Sequence, residues 1–168
     1  MLSENATKTG ELHLTETEFD LSSIVQKLVE EFRPIAERKG LSLTLTLSGP
    51  AMIRGDEVKL RDLVFRNCID NSIRYTPTGS VHIELTKQDG DVFFVISDTG
   101  VGIEPEDKAK LFTEGGHGTH SRDVNPESTG FGLSSAKSIV EAHGGKIWVE
   151  SEGKNKGTTF AIGLPGTK

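Results

Sequence analysis

The chain has 168 residues, of which 34% are hydrophobic and 26% charged, with a formal net charge of −6 and one cysteine. This length fits a single domain, which can bury about two-thirds of its unfolded surface. The acidic balance excludes the basic footprint of a nucleic-acid binder, and the lone cysteine excludes an intramolecular disulfide. Because no apolar run approaches the roughly 18 residues of a membrane span, we expect a cytoplasmic domain without membrane contact.

The first half of the chain predicts two helices and a strand. Residues 1–19 show no hydrophobic period and predict a polar lead-in. Asp20 can cap a first helix that carries apolar residues at spacings of three and four and ends at Gly40. Residues 41–47 alternate between leucine and polar residues, as in a half-buried strand. A second helix is predicted from Asp56 to the break before Pro77.

The second half predicts four strands and one more helix. Strands 81–86 and 92–97 meet at an Asp-Gly turn, which favours a hairpin. Residues 98–130 lack any period, which in a compact domain indicates a functional loop such as a lid. Helix 131–142 and strands 146–150 and 158–164 follow. The order predicts an α+β fold, a two-layer α/β sandwich whose mixed sheet of about five strands is covered on one face by three helices.

Two asparagines in the second helix indicate a polar function. Leu60, Leu63 or Val64, Asn67 and Asn71 are spaced by three or four residues, which places both amides on or beside the apolar face. A buried, unpaired amide costs about 1–3 kcal/mol, so both need partners. An amide oxygen suits Mg²⁺. Capping of neighbouring strands by these amides remains the alternative.

The end of the same helix carries Arg74 and Tyr75. Arg74 could pair with phosphate oxygens, and Tyr75 could stack on a base or a ribose. A surface arginine and a core tyrosine are an equally open interpretation.

Two glycine-containing turns add further candidates. Asp98 directly follows a strand, where its carboxylate could accept the exocyclic amine of adenine, and Gly100 and Gly102 permit close backbone approach. The segment Gly130-Phe131-Gly132-Leu133 opens the third helix, where free backbone N–H groups form an anion site. Each motif alone is weak, but their ordered combination is specific.

These motifs together resemble the GHKL (Bergerat-fold) ATP-binding superfamily, and within it the catalytic domains of sensor histidine kinases. The likeness covers roughly residues 20–165. Residues 67–77 resemble the N box of the family, and residues 98–103 resemble its first glycine box. The F box is resembled by residues 110–113, the second glycine box by 130–133 and the last motif by 157–160. Two departures are Ser128, where the family has glycine, and Glu114-Gly115-Gly116-His117 after the F box.

The resemblance implies the cofactors ATP and Mg²⁺. It implies that Asn71 is the metal ligand, that Asn67 and Arg74 support the phosphates, and that Tyr75 contacts the nucleoside. Asp98 would read the adenine amine, and residues 104–129 would form an ATP lid. The other implied contacts are those of the base pocket and the phosphate cradle: Gly100, Gly102, Ile103, Gly130, Phe131, Gly132, Leu133 and Thr159. Thr159 would lie behind the adenine.

One position separates the activities within this superfamily. The ATPases and serine kinases of the superfamily place a glutamate general base where this chain has Asn67, and an amide cannot accept the proton. No catalytic general base is therefore expected, with Asn67 and Arg74 in supporting roles. A neutral histidine already offers a lone pair, so the resemblance implies transfer of the γ-phosphoryl group of ATP to a histidine. The alternatives are a nucleotide-binding regulatory module without transfer and a GHKL ATPase or serine kinase.

None of the chain's histidines fits the family's acceptor motif: His13, His82, His117, His120 and His143. The expected partner is therefore a dimerisation or His-phosphotransfer domain, of the same or a partner protein, with a response regulator reached indirectly. On this interpretation residues 1–19 are a connector from a missing dimerisation helical hairpin, and residues 20–168 are the catalytic domain. The fragment should be monomeric and cytoplasmic, or the cytosolic part of a membrane-anchored kinase.

Overall fold

The computed structural model describes residues 13–105, Phe112 and residues 133–167. In this part of the chain a five-stranded mixed sheet lies under three helices, which confirms the predicted α+β sandwich. The strands are β1 Thr17–Asp20, β2 Ser42–Leu47, β3 Met52–Gly55, β4 Ser80–Gln88, β5 Asp91–Asp98, β6 Lys146–Glu150 and β7 Thr158–Pro165. The helices are α1 Leu21–Arg38, α2 (Glu57–Lys59, Leu60–Phe65 and Arg66–Arg74, which follow one another directly) and α3 Leu133–Ala142.

The main sheet has the strand order β2-β4-β5-β7-β6. Strand β2 runs parallel to β4, and every other neighbouring pair is antiparallel. One face carries alternating apolar residues that pack under the helices, as the period of two along a strand requires. These are Val81, Ile83, Leu85, Val92, Phe94, Ile96, Phe160, Ile162 and Leu164, all buried.

The predicted caps and turns are present. Asp20 Oδ1 accepts the backbone N–H of Ser22 at 3.0 Å, which caps α1, and that of Ala51 at 2.9 Å. Strands β4 and β5 join through a two-residue turn at Asp89 and Gly90, whose φ angles are 52° and 86°. Both central φ angles are positive, as in the type I′ turn that matches the twist of a hairpin. Among the helices described, none combines the length and apolar character needed to cross a membrane.

A small second sheet was not predicted. Strand β1 pairs antiparallel with β3, and Phe19 of β1 is buried in the core. The backbone N–H of Thr15 also donates to Asp56 Oδ2 at 2.9 Å. Residues 15–19 of the predicted lead-in are therefore bonded to the rest of the fold through Asp56 and strand β3. Residues 1–12 lie outside the described part.

Helix α2 contains a π-helical segment, Leu60–Phe65. A π turn holds more residues than an α turn and is often found at functional sites. The wider turn brings Phe65 into the core with Leu60 and Val64, and it leaves Leu63 42% exposed. The apolar face predicted for this helix included Leu63 because α-helical spacing was assumed, and the predicted burial of Leu63 is wrong. The segment ends directly before Asn67.

Candidate functional site

The asparagine face of α2 forms one side of the candidate site. Asn71 is 7% exposed, and Asn67 lies half-buried one turn earlier. The Asn67 Nδ2 donates to Leu63 O within the same helix at 2.9 Å, so this amide bonds to its own helix and not to a strand. The two amides present oxygen and nitrogen atoms on one side of the helix, which is the kind of donor set that suits a hydrated Mg²⁺ and phosphate oxygens.

The last turn of α2 leads into a second part of the site. Arg74 Nη2 donates to Asp70 Oδ2 at 2.9 Å. Tyr75 is 6% exposed and packs in the hydrophobic core, which favours the core interpretation of this residue. Its carbonyl oxygen accepts the N–H of Val101 at 3.1 Å. The end of α2 is therefore bonded directly to the glycine turn that follows β5.

Asp98 lies at the end of β5, where that turn begins. Its Oδ1 accepts the backbone N–H groups of Gly100 at 2.9 Å and of Thr158 at 3.2 Å. Burial raises the pKa of the Asp98 carboxyl to about 6, against the opposing effect of the N–H groups of Gly100 and Thr158 and of the nearby hydroxyls of Ser72 and Thr76. A carboxylate held in this way is a half-buried acceptor of fixed direction, which can recognise a donor such as an exocyclic amine.

The Ser72 hydroxyl next to Asp98 is buried and unsatisfied. Its Oγ is near enough to lower the pKa of Asp98, yet among the described residues it meets no hydrogen-bond partner at bonding geometry. The Thr76 hydroxyl donates its hydrogen to Ser72 O at 2.6 Å. A buried polar atom without a partner is costly, and it is expected where a bound ligand or water completes the site.

The turn from Asp98 to Ile103 fits tightly against its neighbours. A Cβ at position 100 would collide with Tyr75 O and lie 2.8 Å from Thr76 Oγ1, so only glycine fits there. Gly102 has a φ of 74°, which favours glycine. The Ile103 N–H donates to Ser151 Oγ at 3.0 Å, and Ile103 itself is buried in the core.

A turn between β6 and β7 supports this arrangement and was not predicted as part of the site. Ser151 Oγ donates to Gly157 O at 2.7 Å, and Asn155 N donates to Val101 O at 2.6 Å. The two turns are thus joined by the Asn155–Val101 backbone bond and by the bond from the Ile103 N–H to Ser151 Oγ. Sequence periodicity could not show this, although the glycines at 153 and 157 mark a turn.

Strand register defines which threonine of β7 lies beside Asp98, and the predicted contact of Thr159 with the adenine stays a prediction. Thr159 pairs with Ser97, and their hydroxyls lie 3.2 Å apart on the face of the sheet away from the helices. Thr158 pairs with Asp98 on the helix side and is buried. Thr158, and not Thr159, therefore lies beside the Asp98 carboxyl. The alternation of buried Phe160 and Ile162 would have indicated this, since position 158 shares their face.

The remaining predicted residues fall into two groups. Leu133 begins α3 and is buried in the core. Phe112 is partly buried against the core. Gly130, Phe131 and Gly132 lie outside the described residues, as does most of the segment predicted as a lid, 104–129, with Ser128. Within the described ranges there is no group of three or more His, Cys, Asp or Glu side chains that could hold a metal ion.

The carboxylates nearest the asparagines are engaged in ion pairs. Asp62 Oδ1 accepts from Arg61 Nε at 2.9 Å and also faces Arg66, which in turn contacts Glu31 of α1. The hydrogen bond from Arg61 is the main cause that lowers the pKa of Asp62. Asp70 pairs with Arg74. A carboxylate whose charged form is stabilised is a poor proton acceptor, so Asp62 is not a candidate for the base that is absent at Asn67.

Comparison with known proteins agrees with this geometry. Residues 55–168 match the family described as "Histidine kinase-, DNA gyrase B-, and HSP90-like ATPase". The chain belongs to this family. The fold and the relatives described next are those of sensor histidine kinases, so the chain is an ATP-binding domain of the histidine-kinase type.

Among curated relatives, the adaptive-response sensory kinase SasA of Synechococcus sp. (strain JA-3-3Ab) is 35% identical over 159 residues, covering 93% of this chain and 41% of SasA. The autoinducer 2 sensor kinase/phosphatase LuxQ of Vibrio cholerae is 30% identical over 162 residues, covering 93% of this chain and 19% of LuxQ. This chain therefore spans less than half the length of these relatives.

Two solved structures show the same fold. The catalytic domain of the histidine kinase ThkA has a TM-score of 0.79 at 24% identity, covering 92% of this chain and 99% of that domain. Full-length ShkA in complex with AMPPNP has a TM-score of 0.78 at 25% identity, covering 99% of this chain and 35% of ShkA.

Proposed function

We propose that this chain binds Mg-ATP and transfers the γ-phosphoryl group to a histidine on a separate dimerisation domain. The observation that carries the proposal is one continuous site. The half-buried Asp98 acceptor lies at one end, the asparagine face of α2 lies at the other, and the Tyr75–Val101 backbone bond joins them. An amide at position 67, where hydrolytic relatives need a base, favours transfer over hydrolysis.

The Asp98 end would bind the adenine. Gly100 and Thr158 fix one carboxylate oxygen through their N–H groups, so the second oxygen can accept the exocyclic amine. The unpaired Ser72 hydroxyl would gain a partner when a base or a water enters. A purine that has a carbonyl oxygen in place of that amine would place a second hydrogen-bond acceptor against the carboxylate. The site should therefore prefer ATP over GTP.

The α2 end would bind the phosphates. Asn71 would supply the side-chain oxygen to the metal, and Asn67 would donate its amide to a phosphate oxygen. Arg74 would exchange part of its pairing with Asp70 for a phosphate, to which guanidinium groups bind well. Bound Mg²⁺ would neutralise phosphate charge as it develops.

The transfer step needs no proton acceptor on this chain. The lone pair of a neutral imidazole nitrogen forms the new N–P bond while the bond from the γ-phosphorus to the bridging oxygen breaks, and ADP leaves with that electron pair. The residues here act by holding the triphosphate in line with the incoming nitrogen. The histidine, the helical hairpin that carries it and the response regulator downstream belong to the proposal, as does a cytoplasmic location.

The direct test is reconstitution. The chain is incubated with Mg-ATP labelled at the γ-phosphate and with a dimerisation domain of a sensor kinase that carries the acceptor histidine. Labelled protein phosphate that is stable in base and lost in acid is expected. A matched acceptor domain with glutamine in place of that histidine should remain unlabelled. Nucleotide binding without any labelling would instead support the regulatory module, and rapid ATP hydrolysis by the chain alone would support an ATPase.

A further inference from the structure

We infer that Lys39 is a positioning residue for the phosphate end of the site, an inference that rests on the proposed function. Lys39 directly follows α1 and is distant from α2 in sequence. Its Nζ donates to Ile73 O at 2.6 Å and to Arg74 O at 3.2 Å. Both carbonyls belong to the last turn of α2, the helix that carries Asn67 and Asn71.

Helix ends explain why this contact stabilises the turn. The last carbonyl groups of a helix have no intrahelical partner, and a cation near them is favoured by the helix dipole. Desolvation first, and the positive charge of Arg74 second, lower the pKa of Lys39, although the residue as a whole is exposed. Its two hydrogen bonds offset that cost because they are charge-assisted.

The last turn of α2, which Lys39 contacts, contains Arg74 and lies next to Asn71. Both residues would face the phosphates under the proposed function. Arg74 donates its side chain to Asp70 from this turn, and the Tyr75 N–H closes it on Asn71 O at 2.9 Å. Loss of the Lys39 contacts would allow the turn to fray. Arg74 would then sample positions away from the triphosphate, and the backbone of Asn71 would lose order.

The adenine end is held by other contacts. Asp98 is fixed by Gly100 and Thr158, and its turn is fixed by Ser151 and Asn155 of the β6–β7 connection. None of these bonds involves Lys39. A defect confined to the end of α2 should therefore weaken triphosphate binding and spare the binding of the base, whereas a global loss of structure would weaken both.

The test measures the affinity of four forms of the chain for Mg-ATP and for adenosine, together with their thermal unfolding. The forms are the parent, Lys39→Met, Lys39→Arg and Lys27→Met, the last removing an exposed lysine from α1. We expect Lys39→Met to weaken Mg-ATP binding about tenfold, from the loss of a charge-assisted contact, and to leave adenosine affinity within about twofold. Lys39→Arg should retain most of the affinity, and Lys27→Met all of it.

The possible outcomes distinguish the positioning role of Lys39 from the proposed function of the chain. Parental Mg-ATP affinity in Lys39→Met, or an equal loss for ATP and adenosine, would overturn the positioning role and leave the proposed function intact. Failure of the parent to bind Mg-ATP would overturn both. Should Lys39→Met not fold, Lys39→Gln, which keeps amide donors without the charge, carries the same comparison.

Discussion

The buried carboxyl of Asp98 predicts a conflict between stability and binding. We expect Asp98→Asn to stabilise the nucleotide-free domain while weakening its affinity for ATP. The amide oxygen can still accept from Gly100 and Thr158, and the amide nitrogen can donate to the neighbouring hydroxyls of Ser72 and Thr76. The substitution therefore removes a buried charge and keeps its hydrogen bonds.

The size of the stabilisation follows from the pKa of Asp98. A rise from the ordinary value of 3.8 to about 6 corresponds to about 3 kcal/mol at 1.36 kcal/mol per pH unit. Between these two pH values the folded state binds more protons than the unfolded state, so stability falls as pH rises through this window. The cost is complete above about pH 6. For a domain of this size it amounts to roughly 6–12 °C in Tm.

The assay is urea unfolding followed by circular dichroism near pH 5 and about pH 7.5. Asp98→Asn should exceed the parent by about 3 kcal/mol at the higher pH and by about half of that at the lower pH. Asp91→Asn, at an exposed position of the β4–β5 hairpin, should show neither effect. A destabilised Asp98→Asn, or a stability gap of the same size at both pH values, would refute this account of Asp98.

Three further substitutions test other parts of the structure. Asn71→Ala should remove the magnesium dependence of nucleotide affinity, measured with and without a chelator, and parental dependence would exclude Asn71 as the metal ligand. Gly100→Ala should destabilise the domain by about 1–3 kcal/mol in urea unfolding, because the new methyl group meets Tyr75 O; an unchanged midpoint would contradict the close approach. His143→Ala should cost about 1–3 kcal/mol because it removes the acceptor of the buried Asp56 N–H, which donates to Nε2 at 2.9 Å, and parental stability would argue against that bond.

Regular elements were predictable wherever the hydrophobic period was long. The stripe along α1 and the alternation along β2, β4 and β5 define which face is buried, so their existence and type followed from local pattern. Strands β1 and β3 escaped prediction because each has four residues and their pairing joins positions about 35 residues apart. The π-helical segment was not predicted either. The joint burial of Leu60, Val64 and Phe65 in its wider turn becomes apparent only from the contacts in the folded structure.

The site was predictable in its motifs more than in its details. Asp98 and Gly100 follow a strand in a pattern that implies a tight turn beside a buried carboxylate, and the structure has both. The choice between Thr158 and Thr159 depends on strand register, which the motif alone does not define. Ser72 and Lys39 carry no motif, because their roles arise from contacts with Asp98 and with the end of α2 that only the fold creates.

The central claim is a magnesium-dependent ATP site formed by Asp98 and the asparagine face of α2. Isothermal titration of the chain with ATP tests it most directly, with and without Mg²⁺ and with GTP as the competing nucleotide. The account predicts saturable binding of one ATP that weakens strongly when the metal is chelated and is much weaker for GTP. Equal affinity for ATP and GTP, or no heat of binding with Mg-ATP at millimolar concentration, would contradict it.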